Sequence, residues 1–300
     1  MSRAEPLQTA REFDPKDPFF SVSVIVPFYN GHKFIECTLR SILSQTVRPV
    51  EVIVIDDESP SPPLLSEEMA KQVTIIRRPN QGASASRNFG ASIAKGRWLA
   101  FCDQDDVWLP SKLEKQLRLV SEVPELHFVL TDYTNMFDDA TDSRSHFSYV
   151  PENFWVREQH ENGFVVRQPI TGRLSTFQPG ITSTPIVLKD FFLASGGFDV
   201  EVEWGAEDTC FHFRCLCVTP FGVVPEVLMH YRRHPEAGSA DDVLQLRRTV
   251  DIWTHIAEKY SQAQPYRAEL LAGLDVVRKD IRECERYDRR RKLKRLLKIH

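Results

Sequence analysis

Five short, almost unbroken apolar runs, separated by polar turns and helical patterns, set the strongest limit on how this chain can fold. Val22–Val26, Val52–Ile55, Val73–Ile76, Trp98–Phe101 and His127–Thr131 read as strands. Between them, Phe34–Gln45 puts Ile35, Leu39, Ile42 and Leu43 on one helical face, and Ala83–Lys95 is a small-residue helix that Gly96 can end. Ser111–Glu114 resembles a capping box opening a helix that carries Leu113, Leu117 and Val120. Strands apolar on both faces and joined through helices predict a mostly parallel sheet covered on both sides, an α/β fold of right-handed crossovers. Beyond residue 132 the alternation fades into a polar and aromatic stretch, 133–180. It resumes with a strand at Thr182–Leu188, a short helix, the Gly196-Gly197 break, a helix from Asp208 and a strand near Gly222–Leu228. The expected organisation is a polar lead-in (1–19), an α/β domain (20–240, halves 20–131 and 132–240) and a helical extension (241–300).

Ligands of such sheets bind at the carboxyl ends of the strands, and the polar clusters fall there. Asp56-Asp57 follows the second strand and Asp103-Gln104-Asp105-Asp106 the fourth. Alternate residues of extended chain face one way, so Asp103 and Asp105 can share a ligand. Neighbouring carboxylates repel, and Mg²⁺ or Mn²⁺ is the usual remedy: it accepts one or two protein carboxylates and leaves its other positions to water and phosphate. A solvated acidic turn is the rival reading of D-x-D, but Val107-Trp108-Leu109-Pro110 comes next, hardly a solvated loop. Asp57 suits the N–H edge of a base or a ribose hydroxyl, and equally a strand-end turn. After the first strand the chain has Pro27-Phe28-Tyr29-Asn30-Gly31 in place of G-x-G-x-x-G, and it has no Walker A loop. A metal must then do the work of a glycine phosphate cradle.

Val26-Pro27-Phe28-Tyr29-Asn30, Ile55-Asp56-Asp57-Glu58-Ser59, Asn80-Gln81-Gly82 through Arg87-Asn88, Lys95-Gly96-Arg97-Trp98 through Asp106, and Trp108-x-Pro110-x-Lys112-Leu113 follow one another in order. Further on come Gly196-Gly197-Phe198-Asp199, Glu207-Asp208 and Tyr231-Arg232-x-His234 with Ser239 behind it. Together, over roughly 22–240, they resemble the successive signatures of family 2 glycosyltransferases of the GT-A fold. The resemblance implies an inverting enzyme that moves one sugar from a nucleoside-diphosphate donor, most commonly a UDP-sugar, to an acceptor hydroxyl, in the synthesis of bacterial-type surface polysaccharide or glycolipid. Asp208 would be the base and Glu207 would orient it or the acceptor. Asp105, with Asp103, Asp106 and His234, would hold Mg²⁺ or Mn²⁺. Pro27, Tyr29, Asn30, Asp57, Arg87, Asp103 and Gln104 would bind the nucleotide sugar, and Trp204 and Trp155 would meet a glycan or lipid-linked acceptor. Glu58 stands where the family usually has glycine or asparagine. Processive members carry Q-x-x-R-W and membrane helices, absent here, so single-sugar transfer is expected. A nucleotidyltransferase would show a glycine-rich basic N-terminal loop, an idle scaffold would have lost its aspartates, and a retaining transferase fits the Glu207-Asp208 placement poorly.

Composition adds three limits. The six cysteines are too dilute for a disulfide scaffold; Cys210, Cys215 and Cys217 beside His212 lack paired C-x2-C spacing and read as packed core thiols. The first twenty residues are charged and lack an apolar h-region, which predicts a cytoplasmic protein. The net charge of −4 excludes a surface-wide nucleic-acid binder, yet it is uneven. Residues 286–300 hold eight basic side chains against Asp288, a local +7 that leaves −11 on the rest of the chain. Leu293, Leu296, Leu297 and Ile299 lie among them, so the tail is either a solvated helix end or a basic helix resting on anionic lipid at the inner membrane face.

Overall fold

The computed structural model describes residues 10–202, 207–218, 220–234 and 242–296. The first half runs β1 (Val22–Phe28), α1 (Ile35–Leu43), β2 (Glu51–Asp56), α2 (Glu67–Ala70), β3 (Thr74–Arg77), α3 (Gly82–Ile93), β4 (Trp98–Phe101), β5 (Val107–Trp108) and α4 (Lys112–Glu122). The second runs β6 (Phe128–Phe137), β7 (Ala140–Thr141), β8 (Arg157–His160), β9 (Gly163–Val166), β10 (Ile186–Leu188), α5 (Lys189–Ala194), α6 (Glu207–Leu216) and β11 (Phe221–Arg232). The helices α7 (Asp242–Lys259) and α8 (Arg267–Leu296) complete it.

One mixed sheet has the order β3-β2-β1-β4-β10-β6-β11-β9-β8, with β5 against β11 and β7 against β6. Pairing is parallel from β3 to β4, and parallel again between β6 and β11. Between these blocks β10 runs antiparallel to both neighbours. The apolar runs are near-continuous because both faces are covered. Val24, Val26, Val52 and Val54 pack with Leu39 and Ile42 of α1 and Leu113 and Leu117 of α4. Ile25, Ile53 and Ile55 point the other way, toward Ala91 of α3. The stretch 133–180 is more ordered than its composition predicts: β6 continues to Phe137, and β8 and β9 form a hairpin. The C-terminal helices do not stand apart, since Ile252, Trp253 and Ile256 of α7 and Leu270 and Leu274 of α8 join the same core as α3.

Two expectations change. Ser111 precedes α4 but makes no side-chain cap, because its backbone (φ −92°, ψ 7°) lacks the extended geometry of an N-cap. The predicted strand Thr182–Leu188 shortens to β10, and Thr184 N–H closes a turn on the Ile181 carbonyl. Gln116 of α4 fixes that turn by donating from Nε2 to the carbonyls of Val129 (2.7 Å) and Thr184 (3.0 Å). Beside it lies the fully buried Lys112. Its ammonium sits 4.3 Å from the Trp108 ring centroid and donates to Gln116 Oε1 at 3.0 Å. Burial pulls its pKa down to about 7. Cys37, Cys102, Cys210, Cys215 and Cys217 are free thiols, as expected.

Gly96 joins α3 to β4, and a Cβ there would meet Ser23 N at 2.5 Å and the Val22 carbonyl carbon at 2.8 Å. Both are backbone atoms of the central strand and cannot swing aside. Gly96→Ala is therefore expected to destabilise the fold by about 1–3 kcal/mol, read as a lowered urea midpoint at unchanged m-value.

Candidate active site

Three strand ends supply the first wall of the site. After β1, the Gln104 side chain clamps Tyr29 from both sides: Tyr29 N–H donates to Oε1 (2.9 Å) and Nε2 donates to the Tyr29 carbonyl (3.0 Å). Asn30 turns the chain at φ 55°, its N–H on Ser59 Oγ. After β2, Asp57 caps α3, its two oxygens accepting the N–H groups of Gln81 (3.0 Å) and Gly82 (2.8 Å). Glu58 takes φ 63°, the left-handed conformation that glycine and asparagine adopt at least cost. Its carboxylate offsets part of that cost by accepting from Asn80 N–H at 3.2 Å.

The acidic loop after β4 divides its duties. Asp106 is fully buried; Oδ2 accepts from Ser183 Oγ (2.5 Å) and Oδ1 from Arg232 N–H (3.2 Å). It therefore serves as the anchor of the loop and does not present its carboxylate to the cavity. Ser183 Oγ also accepts Asp103 N–H at 3.0 Å, and Arg232 Nε donates to the Asp105 carbonyl at 2.9 Å. Thus the turn before β10 and the end of β11 hold the loop from behind. Asp105 faces the cavity with Oδ2 2.9 Å from His234 Nε2. Burial, and then the Asp103 charge, push its carboxyl above the ordinary range, a tension that a divalent cation would relieve. Among the described residues no three His, Cys, Asp or Glu side chains form a ready metal cage. A carboxylate beside an imidazole nonetheless fits Mg²⁺ or Mn²⁺ whose remaining positions go to water and diphosphate.

Arg87 ties this wall to the opposite one. Only 3% exposed, it donates from Nη2 to Asp103 Oδ1 (2.5 Å) and from Nη1 to Glu207 Oε1 (2.7 Å). Burial works against ionised Glu207, but the Arg87 guanidinium prevails and holds its carboxyl below the usual range. Asp208 goes the other way: burial, reinforced by the Glu207 charge, pushes it up to about 7. Its Oδ1 accepts Thr209 N–H at 2.7 Å. Its Oδ2 has no hydrogen bond among the described residues and lies in the wall of the cavity.

That cavity has a volume of about 630 Å³. Pro27, Tyr29, Asp57, Arg87, Asp103, Gln104 and Asp105 line one part of it, and Glu207 and Asp208 another. Among the lining residues that the sequence missed are Tyr133, His146, Gln178, Thr209, and Arg248 and Trp253 from α7. No motif marks these, since they are single side chains on a strand, a loop and a helix in a stretch without periodicity. Trp155 is not in the wall: it packs into the core against Phe147, Phe154 and Phe164. Trp204 and Ser239 lie outside the described residues. Arg87→Gln is expected to leave Asp103 and Glu207 without the guanidinium that joins them, costing about 3–5 kcal/mol of folding stability in urea titrations.

Comparison with known proteins gives a consistent result. The family model described as Glycosyl transferase family 2 matches residues 23–179. An uncharacterized glycosyltransferase of Haemophilus influenzae is 29% identical over 252 residues, 82% of this chain and 80% of its own. An Escherichia coli UDP-Glc:alpha-D-GlcNAc-diphosphoundecaprenol beta-1,3-glucosyltransferase is 36% identical over 115 residues, 37% of this chain and 45% of its own. Among solved structures, Staphylococcus aureus TarS 1–349 in complex with UDP-GlcNAc superposes with a TM-score of 0.57 at 19% identity, covering 85% of this chain and 71% of the other. That likeness is one of fold.

Proposed function

This chain belongs to glycosyl transferase family 2, and on that premise we propose that it transfers one sugar from a nucleoside-diphosphate donor, a UDP-sugar, to an acceptor hydroxyl with inversion. The observation that carries the reading is Asp208: a buried carboxylate raised to about 7, with one oxygen open to the cavity, beside a Glu207 kept ionised by Arg87. Such a group accepts a proton near neutral pH. The acceptor oxygen attacks the anomeric carbon from the side opposite the diphosphate, its proton passes to Asp208, and the bond from that carbon to the diphosphate oxygen breaks. Glu207 keeps Asp208 basic by its charge and is itself fixed by Arg87. Tyr29 and Asp57 stand at the ends of β1 and β2, where base and ribose would lie, and Pro27 and Asn30 shape that rim. Asp105 and His234 would hold Mg²⁺ or Mn²⁺, which when bound supplies charge neutralisation to the departing diphosphate; Asp103, shared with Arg87, supports them. The names of the relatives favour a nucleotide-sugar donor and a lipid-linked glycan acceptor in surface polysaccharide synthesis.

No helix among the described residues is long and apolar enough to cross a membrane. We assign contact with anionic lipid to the basic stretch 286–300; the side chains beyond Arg286 are outside the described residues. A flotation assay is expected to show binding to liposomes that contain phosphatidylglycerol, and its loss on deleting 286–300. Unchanged flotation on deletion would remove the tail from the reading.

Released nucleoside diphosphate is the direct test. With a matched donor and acceptor, Asp208→Asn is expected to lower kcat by about 10²–10⁴-fold while donor binding persists. Asp105→Ala is expected to abolish the response to added Mn²⁺. A base is inactive when protonated, so kcat/KM should fall below about pH 7 and level off above it, following Asp208. Near-normal turnover by Asp208→Asn would sink the mechanism.

A further inference from the structure

Tyr133 has a buried ring whose hydroxyl faces the cavity and has no hydrogen-bond partner among the described residues. Its side chain is packed to 8% exposure, it lines the cavity, and its hydroxyl bonds to no described residue. The hydroxyl opens on the cavity, so a ligand that displaces water from it must supply a hydrogen bond in its place. Burial, then Tyr231 and Asp208, push the phenol well above its ordinary pKa, so it stays a donor at any physiological pH.

The ring is held rigidly. It stacks on His146 at 4.5 Å and 18°, and His146 stacks in turn on Phe177 at 4.6 Å and 20°. Tyr231 meets it edge-on at 6.1 Å. His146 Nε2 lies 2.7 Å from the Gln178 carbonyl, and Gln178 Oε1 accepts from Thr209 Oγ1 at 2.7 Å, next to Asp208. The backbone is pinned too, because Asp132 Oδ1 accepts the N–H groups of Tyr133 (2.7 Å) and Phe147 (2.9 Å). Rotation away from the cavity would break these stacks, so the hydroxyl is preorganised for a ligand.

Position in the sheet says which ligand. β6 lies three strands from β1 and four from β2, or about 14 and 19 Å at roughly 4.8 Å per strand. That is too far for contact with a base held at the β1 and β2 ends. The supports of the ring lead instead through His146, Gln178 and Thr209 to Asp208, the end of the cavity that a sugar approaching this carboxylate would enter.

We propose that Tyr133 reads the acceptor: its hydroxyl donates a hydrogen bond to a hydroxyl of the acceptor sugar and so sets which acceptor position reaches Asp208. This rests on Asp208 as the base. A site built around such a bond rejects an analogue that lacks the hydroxyl.

The test uses the full chain with Mn²⁺, a panel of UDP-glucose, UDP-galactose and UDP-GlcNAc, and p-nitrophenyl glycosides as acceptor probes, followed by monodeoxy versions of the one accepted. Tyr133→Phe keeps the ring stacks, so its Tm should match the wild type. Its kcat/KM for the acceptor is expected to drop by about 10- to 100-fold, with donor KM and acceptor-free donor hydrolysis unchanged. For one monodeoxy acceptor, wild type and variant should become equal. Activity of Tyr133→Phe within twofold of wild type, with Asp208→Asn inactive, overturns the proposal and leaves the base assignment standing. An equal loss across all monodeoxy acceptors, or a matching rise in donor KM, also overturns it by placing the hydroxyl on the donor or in the fold. No transfer by the wild type from any donor of the panel overturns both.

Discussion

A guanidinium taken out of water costs several kcal/mol unless its charge is matched at close range. Arg87 is matched twice, by Asp103 after β4 and by Glu207 at the start of α6, residues separated by more than a hundred positions in the chain. The three groups need one another: the half-buried acids would repel across the cavity without the guanidinium, and the arginine alone would not stay buried. Their mutual neutralisation fixes the distance between the two walls of the cavity. It also lets Glu207 remain ionised, and that charge, added to burial, raises its neighbour Asp208. One ion triad thus sets both the shape of the site and the basicity of the group proposed as its base.

A second set of interactions lies behind the acidic loop and acts by hydrogen bonding more than by charge. Ser183 and Arg232 reach Asp106 and the Asp103 and Asp105 backbone from strands that belong to the second half of the chain. Gln116 holds the turn that presents Ser183. Because β10 is inserted between the two parallel blocks, the loop is braced from the far side of the sheet, and Asp105 is left as the acid that faces the cavity beside His234. The proposed transfer asks for this asymmetry: one rigid frame for the donor end, and one oxygen of Asp208 kept unengaged for a proton.

Where the sequence was legible, each residue's environment was decided locally. Strands buried on both faces must be apolar at nearly every position, and Val22–Val26 and Val52–Ile55 announce this without help. Asp57, Asp103 and Asp105 were legible because strand ends bring side chains to one edge of a sheet whatever the rest of the chain does. Asp106 was misassigned, since its neighbours in sequence say nothing of Ser183 or Arg232, which arrive through tertiary contacts. Trp155 was read as a surface for sugar, although an aromatic side chain is indifferent between a cavity wall and a core of Phe147, Phe154 and Phe164. Tyr133 and Trp253 were invisible for the same reason: isolated aromatics carry no spacing signal, and only the packing of β6 and α7 turns them toward the cavity.

Helix α7 begins more than sixty residues after the stretch matched by the family model, yet it shares the core and closes part of the cavity. Two such enzymes can therefore be alike along the whole matched stretch and still present different walls to whatever enters opposite the nucleotide end. Kinship read from that stretch speaks for the shared reaction and is silent on the recipient, since the family model stops short of a helix that lines the cavity.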